Sequence, residues 1–184
     1  MKNVAIVLAA GQGKRMNSTV QKQYLLIKEK PVLYYTLGAF ENSPLISEII
    51  LVTGKEEVEY CRREIVEKYG FLKVHHIVPG GKERYHSVYE GLKAVEQADY
   101  VLIHDGARPF VSEPMIERVC EAVSKCKACV VGMPAKDTIK IADENGFIAT
   151  TPNRNLVWTV QTPQVFDFDL LRGALKNAAE KELE

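Results

Sequence analysis

The chain has 184 residues, enough for one α/β domain with a sizeable buried core. Its 24 Lys and Arg balance 24 Asp and Glu with no long like-charge run, which argues against nucleic-acid binding through a basic field and leaves room for a local anion pocket. No apolar run is long enough to cross a bilayer, and the N-terminus lacks the small-residue cleavage site of a secretory signal, so no membrane partner and a cytoplasmic location are expected.

The apolar run 4–8 meets a glycine-rich stretch and predicts a buried parallel strand. Pro31, suited to a first helical turn, opens a predicted helix through Phe40. Residues 48–52 read as a second buried strand. Residues 55–69 carry Val58, Cys61, Ile65, Val66 and Tyr69 near helical spacing, with Gly70 as the stop. Strand 74–78, helix 83–95, strand 100–103, helix 113–125 and strand 129–132 follow. This short-linked β-α repetition predicts one domain over residues 1–184, α/β in class, built on a doubly wound, mostly parallel sheet with right-handed crossovers. Two alternating runs around Asn145-Gly146 then predict a β-hairpin, an inserted arm of about residues 136–157 that covers the sheet or reaches a second subunit. A last amphipathic segment, 170–183, reads as helix.

Cys61 and Cys120 fall on apolar helix faces, and Cys126-Lys-Ala-Cys129 has the form of a CxxC. That pair lies where a helix ends and a strand begins, without a thiolate-favouring helix start or a second ligand pair. All four are read as ordinary buried thiols. His75, His76 and His86 lack metal-ligand companions.

The densest signal is Leu8-Ala9-Ala10-Gly11-Gln12-Gly13-Lys14-Arg15-Met16. A strand, then Gly-x-Gly, then cations is the recipe for an anion cradle: glycines let backbone N–H groups approach phosphate oxygens, and Lys14, Arg15 and the later Lys22 neutralise a polyphosphate. Three other readings compete. A dinucleotide fingerprint requires a third glycine where Met16 stands and an acid after the second strand, which ends at Val52-Thr53-Gly54. The phosphate loop of nucleoside triphosphatases requires Gly-Lys-Ser/Thr after four intervening residues. The third is a plain tight turn.

Followed by Gln21-Lys22-Gln23-Tyr24, this loop resembles the signature of sugar-phosphate nucleotidyltransferases. Later motifs narrow the resemblance: Gly80-Gly81-Lys-Glu-Arg84-Tyr-His-Ser87-Val88, His104-Asp105-Gly106-Ala107-Arg108-Pro109-Phe110, Ala135-Lys136-Asp137-Thr138-Ile139-Lys140, Thr151-Pro152-Asn153-Arg154 through Trp158, and Gln161-Thr162-Pro163-Gln164-Val165-Phe166. In this order they are similar to the 2-C-methyl-D-erythritol 4-phosphate cytidylyltransferase family. Ala10 and Ala107 favour that family over the related ribitol-phosphate cytidylyltransferases, which remain the alternative with a CTP-binding homologue that does not turn over.

The resemblance implies a Rossmann-like nucleotidyltransferase fold, CTP and 2-C-methyl-D-erythritol 4-phosphate as substrates, and Mg²⁺ or another divalent cation. It implies Arg15 and Lys22 as the catalytic cations at the α-phosphate. It implies Ala9, Ala10, Gly11, Gly13, Lys14, Gly80, Gly81 and Ser87 at the nucleotide. Asp105, Ala107, Arg108, Thr138, Arg154 and Thr162 would meet the acceptor, with Asp105 also the metal carboxylate. Asp105 is open to a second reading as a turn or cap residue, and Arg108 to one as its structural ion-pair partner. Thr138 and Arg154 would come from the arm of a neighbouring subunit, which predicts a homodimer. His104 reads as a packed strand-end histidine, since no nucleophile lies beside it. Trp158 reads as an arm anchor. The family pattern continues past Glu184 with further acceptor-site residues, a Thr and a Lys, so the acceptor side is expected to be incomplete in this chain.

Overall fold

A computed structural model describes residues 1–11 and 20–180, the side chains of 179 and 180 excepted. In chain order the elements are β1 (Asn3–Ala9), a ribbon of β2 (Leu26–Ile27) and β3 (Lys30–Pro31), α1 (Val32–Asn42), β4 (Glu48–Thr53) and α2 (Val58–Cys61). They continue with β5 (Val74–Pro79), α3 (Arg84–Lys93), β6 (Tyr100–Asp105), α4 (Glu113–Cys126), β7 (Ala128–Pro134), β8 (Ile141–Ala142), β9 (Ile148–Thr150), β10 (Trp158–Asp167) and α5 (Phe168–Glu180).

The main sheet runs β5-β4-β1-β6-β10-β7. Its first four strands are parallel, and β10 is antiparallel to both of its neighbours. Strands buried on both faces read as continuous apolar runs, and β1 divides its side chains between two cores. Val4 and Ile6 join Ile50, Val52, Leu92 of α3 and Phe168 of α5 on one face. Ala5, Val7 and Ala9 join Leu33, Leu37 and Phe40 of α1 with Ile116, Val119 and Val123 of α4 on the other. Each of the Val, Leu, Ile and Phe side chains contributes about 1.5–3 kcal/mol on burial, which is what fixes three layers, helices on both faces of a sheet. Helix α3 comes closest through Gly91, where a Cβ would lie 2.6 Å from Ile6 Cγ2 and 2.9 Å from Val52 Cγ2.

From β1 the chain steps outward to β4 and β5, then returns to β6 on the other side of β1. That reversal places a crevice beyond the carboxyl ends of β1 and β6, where open α/β sheets bind ligands. Gly106 N donates to Leu8 O at 2.7 Å and joins the two strand ends.

Four features depart from the sequence reading. The strand at 129–132 forms, but it does not lie beside β6: β10 runs between them, a ten-residue strand that the sequence reading did not contain. Pro163 argues against a central strand because it cannot donate to the ladder. Here the Thr162-Pro163 peptide is cis, and the register with β7 shifts between Val160 and Gln164, which accommodates it. The helix over 55–69 divides into a 3-10 turn (Lys55–Glu57), α2 and a wider π-helical stretch (Arg62–Glu67) before Gly70 turns the chain at φ +68°.

In the hairpin, Asn145-Gly146 is not a two-residue turn. Asp143 N donates to Phe147 O and Gly146 N to Asp143 O, leaving a three-residue loop with Gly146 left-handed at φ +85°. The Asp143 carboxylate selects this longer loop by accepting from Asn145 N and Phe147 N, both at 2.9 Å. Ala135 N donates to Val157 O at 2.8 Å, so the arm leaves and rejoins the body at one neck.

Finally, of the four cysteines only Cys61 is buried; Cys120 and Cys129 are half-buried and Cys126 is exposed. Lys127 adopts φ 62° directly after α4 and turns the chain there, and the thiol donates to Ala122 O and Ala128 O. Cys61 is buried against Tyr24 Oη at 3.2 Å, and burial pushes its thiol up to about 11, an inert packing cysteine. Among the described residues no helix is long and apolar enough to cross a membrane.

Candidate active site

The crevice is built from three chain segments. The first follows β1. Ala9 is buried, Ala10 half-buried and Gly11 exposed. Gly13, Lys14 and Arg15 lie outside the described residues. Residues 9–11 are held at both ends by Gln23, which is 3% exposed in the single 3-10 turn Lys22–Tyr24. Its amide donates to Ala9 O and Gln21 Oε1 at 2.6 Å and to Gly11 O at 3.3 Å. A buried amide must satisfy its donors, and here doing so fixes the backbone that leaves the strand. The same turn carries Lys22, half-buried, whose ammonium has no ion-pair partner among the described residues.

The second segment joins β5 to α3. Gly80 N donates to Thr53 O at 2.7 Å, carrying the sheet pattern past the strand end. A Cβ on Gly80 would lie 2.6 Å from Ala10 Cβ and 2.7 Å from Ser87 Oγ, so Gly80, Ala10 and Ser87 form one wall. Gly81 N donates to Ser87 Oγ at 3.2 Å. Glu83 and His86 form a reciprocal capping box that starts α3. The first turn of α3 presents Arg84 across the crevice.

The third segment is the turn after β6. Asp105 Oδ1 accepts from Arg84 Nη2 at 3.3 Å, and Oδ2 from Arg108 Nε at 2.8 Å. The ion-pair reading of Arg108 is therefore realised. Arg108 also donates to Gln161 Oε1 on β10. Ala107 is exposed beside them. Beneath the turn, His104 Nε2 lies 3.0 Å from Arg108 O, and its Nδ1 3.0 Å from Thr162 Oγ1. Burial holds this imidazole below the ordinary histidine range. Thr162 is itself buried, and its hydroxyl accepts from Asp105 N at 3.4 Å.

Two predicted acceptor residues stand elsewhere in the subunit. Thr138 and Arg154 are exposed on the arm, where Arg154 Nη1 donates to Lys136 O at 3.1 Å. A cavity of about 270 Å³ at the arm's base is lined by residues including Met133, Lys136, Asp137 and Thr159. Sequence reasoning gave no role to Arg84, Gln23 or Gln161. Arg84 stood inside a quoted motif, but its partner Asp105 is 21 residues away and only the fold joins them.

Among the described residues no group of three or more His, Cys, Asp and Glu could hold a metal ion. The donor set at the crevice is one carboxylate, Asp105, with its side chain 31% exposed. Mg²⁺ usually takes one or two protein carboxylates and completes its shell with substrate phosphates and water, so this set fits a phosphate-carried magnesium and not an all-protein cage.

A family model described as 2-C-methyl-D-erythritol 4-phosphate cytidylyltransferase matches residues 3–184. The relative of that name from Lachnoclostridium phytofermentans is 55% identical over 178 residues, covering 97% of this chain and 76% of its own length. That from Clostridium kluyveri is 46% identical, covering 99% and 79%. Among solved structures, a 4-diphosphocytidyl-2C-methyl-D-erythritol synthase from Anaerococcus prevotii superimposes with TM-score 0.87 at 36% identity, covering all of this chain and 77% of the other. The Francisella tularensis 2-C-methyl-D-erythritol 4-phosphate cytidylyltransferase gives TM-score 0.80 at 28% identity, covering 100% and 80%. The fold, the motif order and these likenesses agree: the chain belongs to the 2-C-methyl-D-erythritol 4-phosphate cytidylyltransferase family of nucleotidyltransferases.

Proposed function

We propose that this chain transfers CMP from CTP to 2-C-methyl-D-erythritol 4-phosphate and releases pyrophosphate. Family membership supports the chemistry, and one structural observation supports its location: Gly80 packs on both Ala10 and Ser87, bringing the end of β1 and the start of α3 to one crevice beside Asp105. An oxygen of the acceptor phosphate forms a new bond to the α-phosphorus of CTP as the bond to the pyrophosphate oxygen breaks. The attacking group is already an anion, so no strong base and no protein nucleophile are needed. Catalysis is positioning and charge stabilisation.

Lys22 and Arg15 serve as the cations at the α-phosphate, and Lys14 supports the outer phosphates. Backbone groups of Ala9, Ala10 and Gly11 face the base and the phosphates, with Gly13 also at the nucleotide. Gly80, Gly81 and Ser87 form a wall of small groups close enough to exclude a purine. Asp105 and Arg108, with Ala107 and Thr162 beside them, face the acceptor, and Asp105 would hold Mg²⁺. When bound, the ion would neutralise triphosphate charge.

The arm completes the site across a homodimer. Ile141, Phe147, Ile148, Leu156 and Trp158 are all more than half exposed on or beside it. An apolar surface of this kind marks an interface. Thr138 and Arg154 ride on the same arm and would serve the acceptor of the partner subunit.

The test is direct. The protein is incubated with Mg²⁺, CTP and a panel of polyol phosphates, and pyrophosphate release is measured. Turnover with 2-C-methyl-D-erythritol 4-phosphate is expected. Preference for ribitol phosphate would move the chain to the related cytidylyltransferases. A CTP-dependent rise in Tm without product would make it a binding homologue.

A further inference from the structure

The turn that carries Asp105 and Arg108 is fastened from below by one side chain. His104 is 2% exposed, and both ring nitrogens have partners: Arg108 O on Nε2 and Thr162 Oγ1 on Nδ1, each at 3.0 Å. A carbonyl only accepts, so the hydrogen of the first pair sits on Nε2. Nδ1 of the neutral ring then accepts, and the Thr162 hydroxyl donates to it while accepting from Asp105 N. The bonds run in one direction, from the Asp105 N–H through the Thr162 hydroxyl to Nδ1, and from Nε2–H to the Arg108 carbonyl.

Neighbouring elements hold the ring without titrating. Phe40 of α1 meets it edge-on with centroids 5.1 Å apart, and Val7 of β1 lies beside it in register. Thr36 of α1 donates to Gly106 O at 2.8 Å and secures the middle of the same turn. The charged groups acting on the imidazole are Asp105 and Arg108, both from the turn itself.

We propose that His104 is a positioning residue for the acceptor: bonded through both ring nitrogens, it locks the turn to β10 and so sets where the Asp105 carboxylate and the Arg108 guanidinium stand. The proposal rests on the reading of those two side chains as acceptor groups. Buried polar groups must each find a partner, so losing the ring frees the Arg108 carbonyl directly and leaves the Thr162 hydroxyl, which holds the Asp105 end, without its acceptor.

Two measurements test it. The imidazole of histidine-labelled protein, observed through long-range ¹H–¹⁵N couplings, is expected to be the Nε2–H tautomer. An Nδ1–H tautomer would overturn the bonding scheme. In steady-state kinetics, His104→Phe keeps the ring shape and loses both bonds. It is expected to raise KM for the polyol phosphate about tenfold while KM for CTP changes by less than about twofold. His104→Gln, whose amide can still donate toward the Arg108 carbonyl, is expected to recover part of that loss. A merely structural role would lower activity with the folded fraction and move both KM values alike or neither, and that result would overturn the proposal. Arg108→Ala separates the underlying reading. If it raises the acceptor KM and His104→Phe does not, only the role of His104 falls. If it leaves the acceptor KM unchanged, the acceptor assignment falls with it.

Discussion

Gly80 and Ser87 face each other so closely that a Cβ on the glycine would sit 2.7 Å from the serine Oγ and 2.6 Å from Ala10 Cβ. Neither neighbour is the free end of a long side chain, so the wall cannot yield cheaply. Gly80→Ala is expected to weaken CTP binding by about tenfold, roughly 1.4 kcal/mol. Isothermal titration with CTP checks it, and unaltered affinity would show that the wall does not touch the nucleotide.

Lys22 is half-buried in the turn that Gln23 anchors, and its ammonium has no ion-pair partner among the described residues. On the proposed reading, this cation acts mainly when charge develops at the α-phosphate. Lys22→Ala should lower kcat by about 10²–10³-fold, the scale of losing one preorganised oxyanion donor. Tm should stay nearly constant, since no described ion pair is broken. A near-normal kcat for pyrophosphate release would remove Lys22 from the α-phosphate.

Two glycines in helices should respond to alanine with opposite signs. At Gly91 a Cβ would collide with Ile6 and Val52 in the core, whereas at Gly38 in α1 nothing lies within 4 Å. Gly91→Ala is expected to destabilise by about 1–3 kcal/mol through overpacking. Gly38→Ala should stabilise by about 0.5–1 kcal/mol because alanine loses less backbone entropy in a helix. Urea unfolding midpoints measure both.

His104 gives stability a defined pH dependence. Burial lowers its folded pKa, so near neutrality the ring is uncharged in both states, and its contribution is fully present above the unfolded histidine value near 6.5. As pH falls below that value the unfolded chain takes up a proton that the folded chain refuses. Stability is lost down to the lowered folded pKa. Urea unfolding across this window should show wild-type stability falling with acid by up to one proton's slope, about 1.4 kcal/mol per pH unit. His104→Phe should lack that component, and an identical slope in the variant would contradict the argument.

The arm offers a separable test of assembly. Leu156 is 79% exposed and Ile148 64% exposed in the subunit. Replacing both with Asp should convert a dimer to a monomer by sedimentation velocity, with turnover lost and CTP binding retained, because the proposed nucleotide residues all belong to one subunit. A monomeric wild-type protein would sink the shared-site reading at once.

Much of this molecule was legible in its sequence because the signals are local. Continuous apolar runs ending in Gly or Asp predict buried parallel strands, and β1, β4 and β6 are those strands. The cations after Gly11 called for an anion, and ordered motifs called for the family to which the chain belongs. What the sequence could not supply is pairing across distance. β10 hid behind Pro163, and only the sheet shows that it separates β6 from β7. The hairpin loop was decided by the Asp143 carboxylate, not by Asn145-Gly146 alone. Arg84 meets Asp105, Gln23 closes on Ala9 and Gly11, and His104 joins Arg108 to Thr162 only because separate segments converge at one crevice. Burial turns the Gln23 and His104 contacts into requirements, since a polar group removed from water must find its partner within the fold. Residue types and local periodicity thus determined the α/β class and the anion-binding chemistry. The tertiary structure decided which side chains hold that chemistry in place, because hydrogen bonds between distant segments have no signature along the chain.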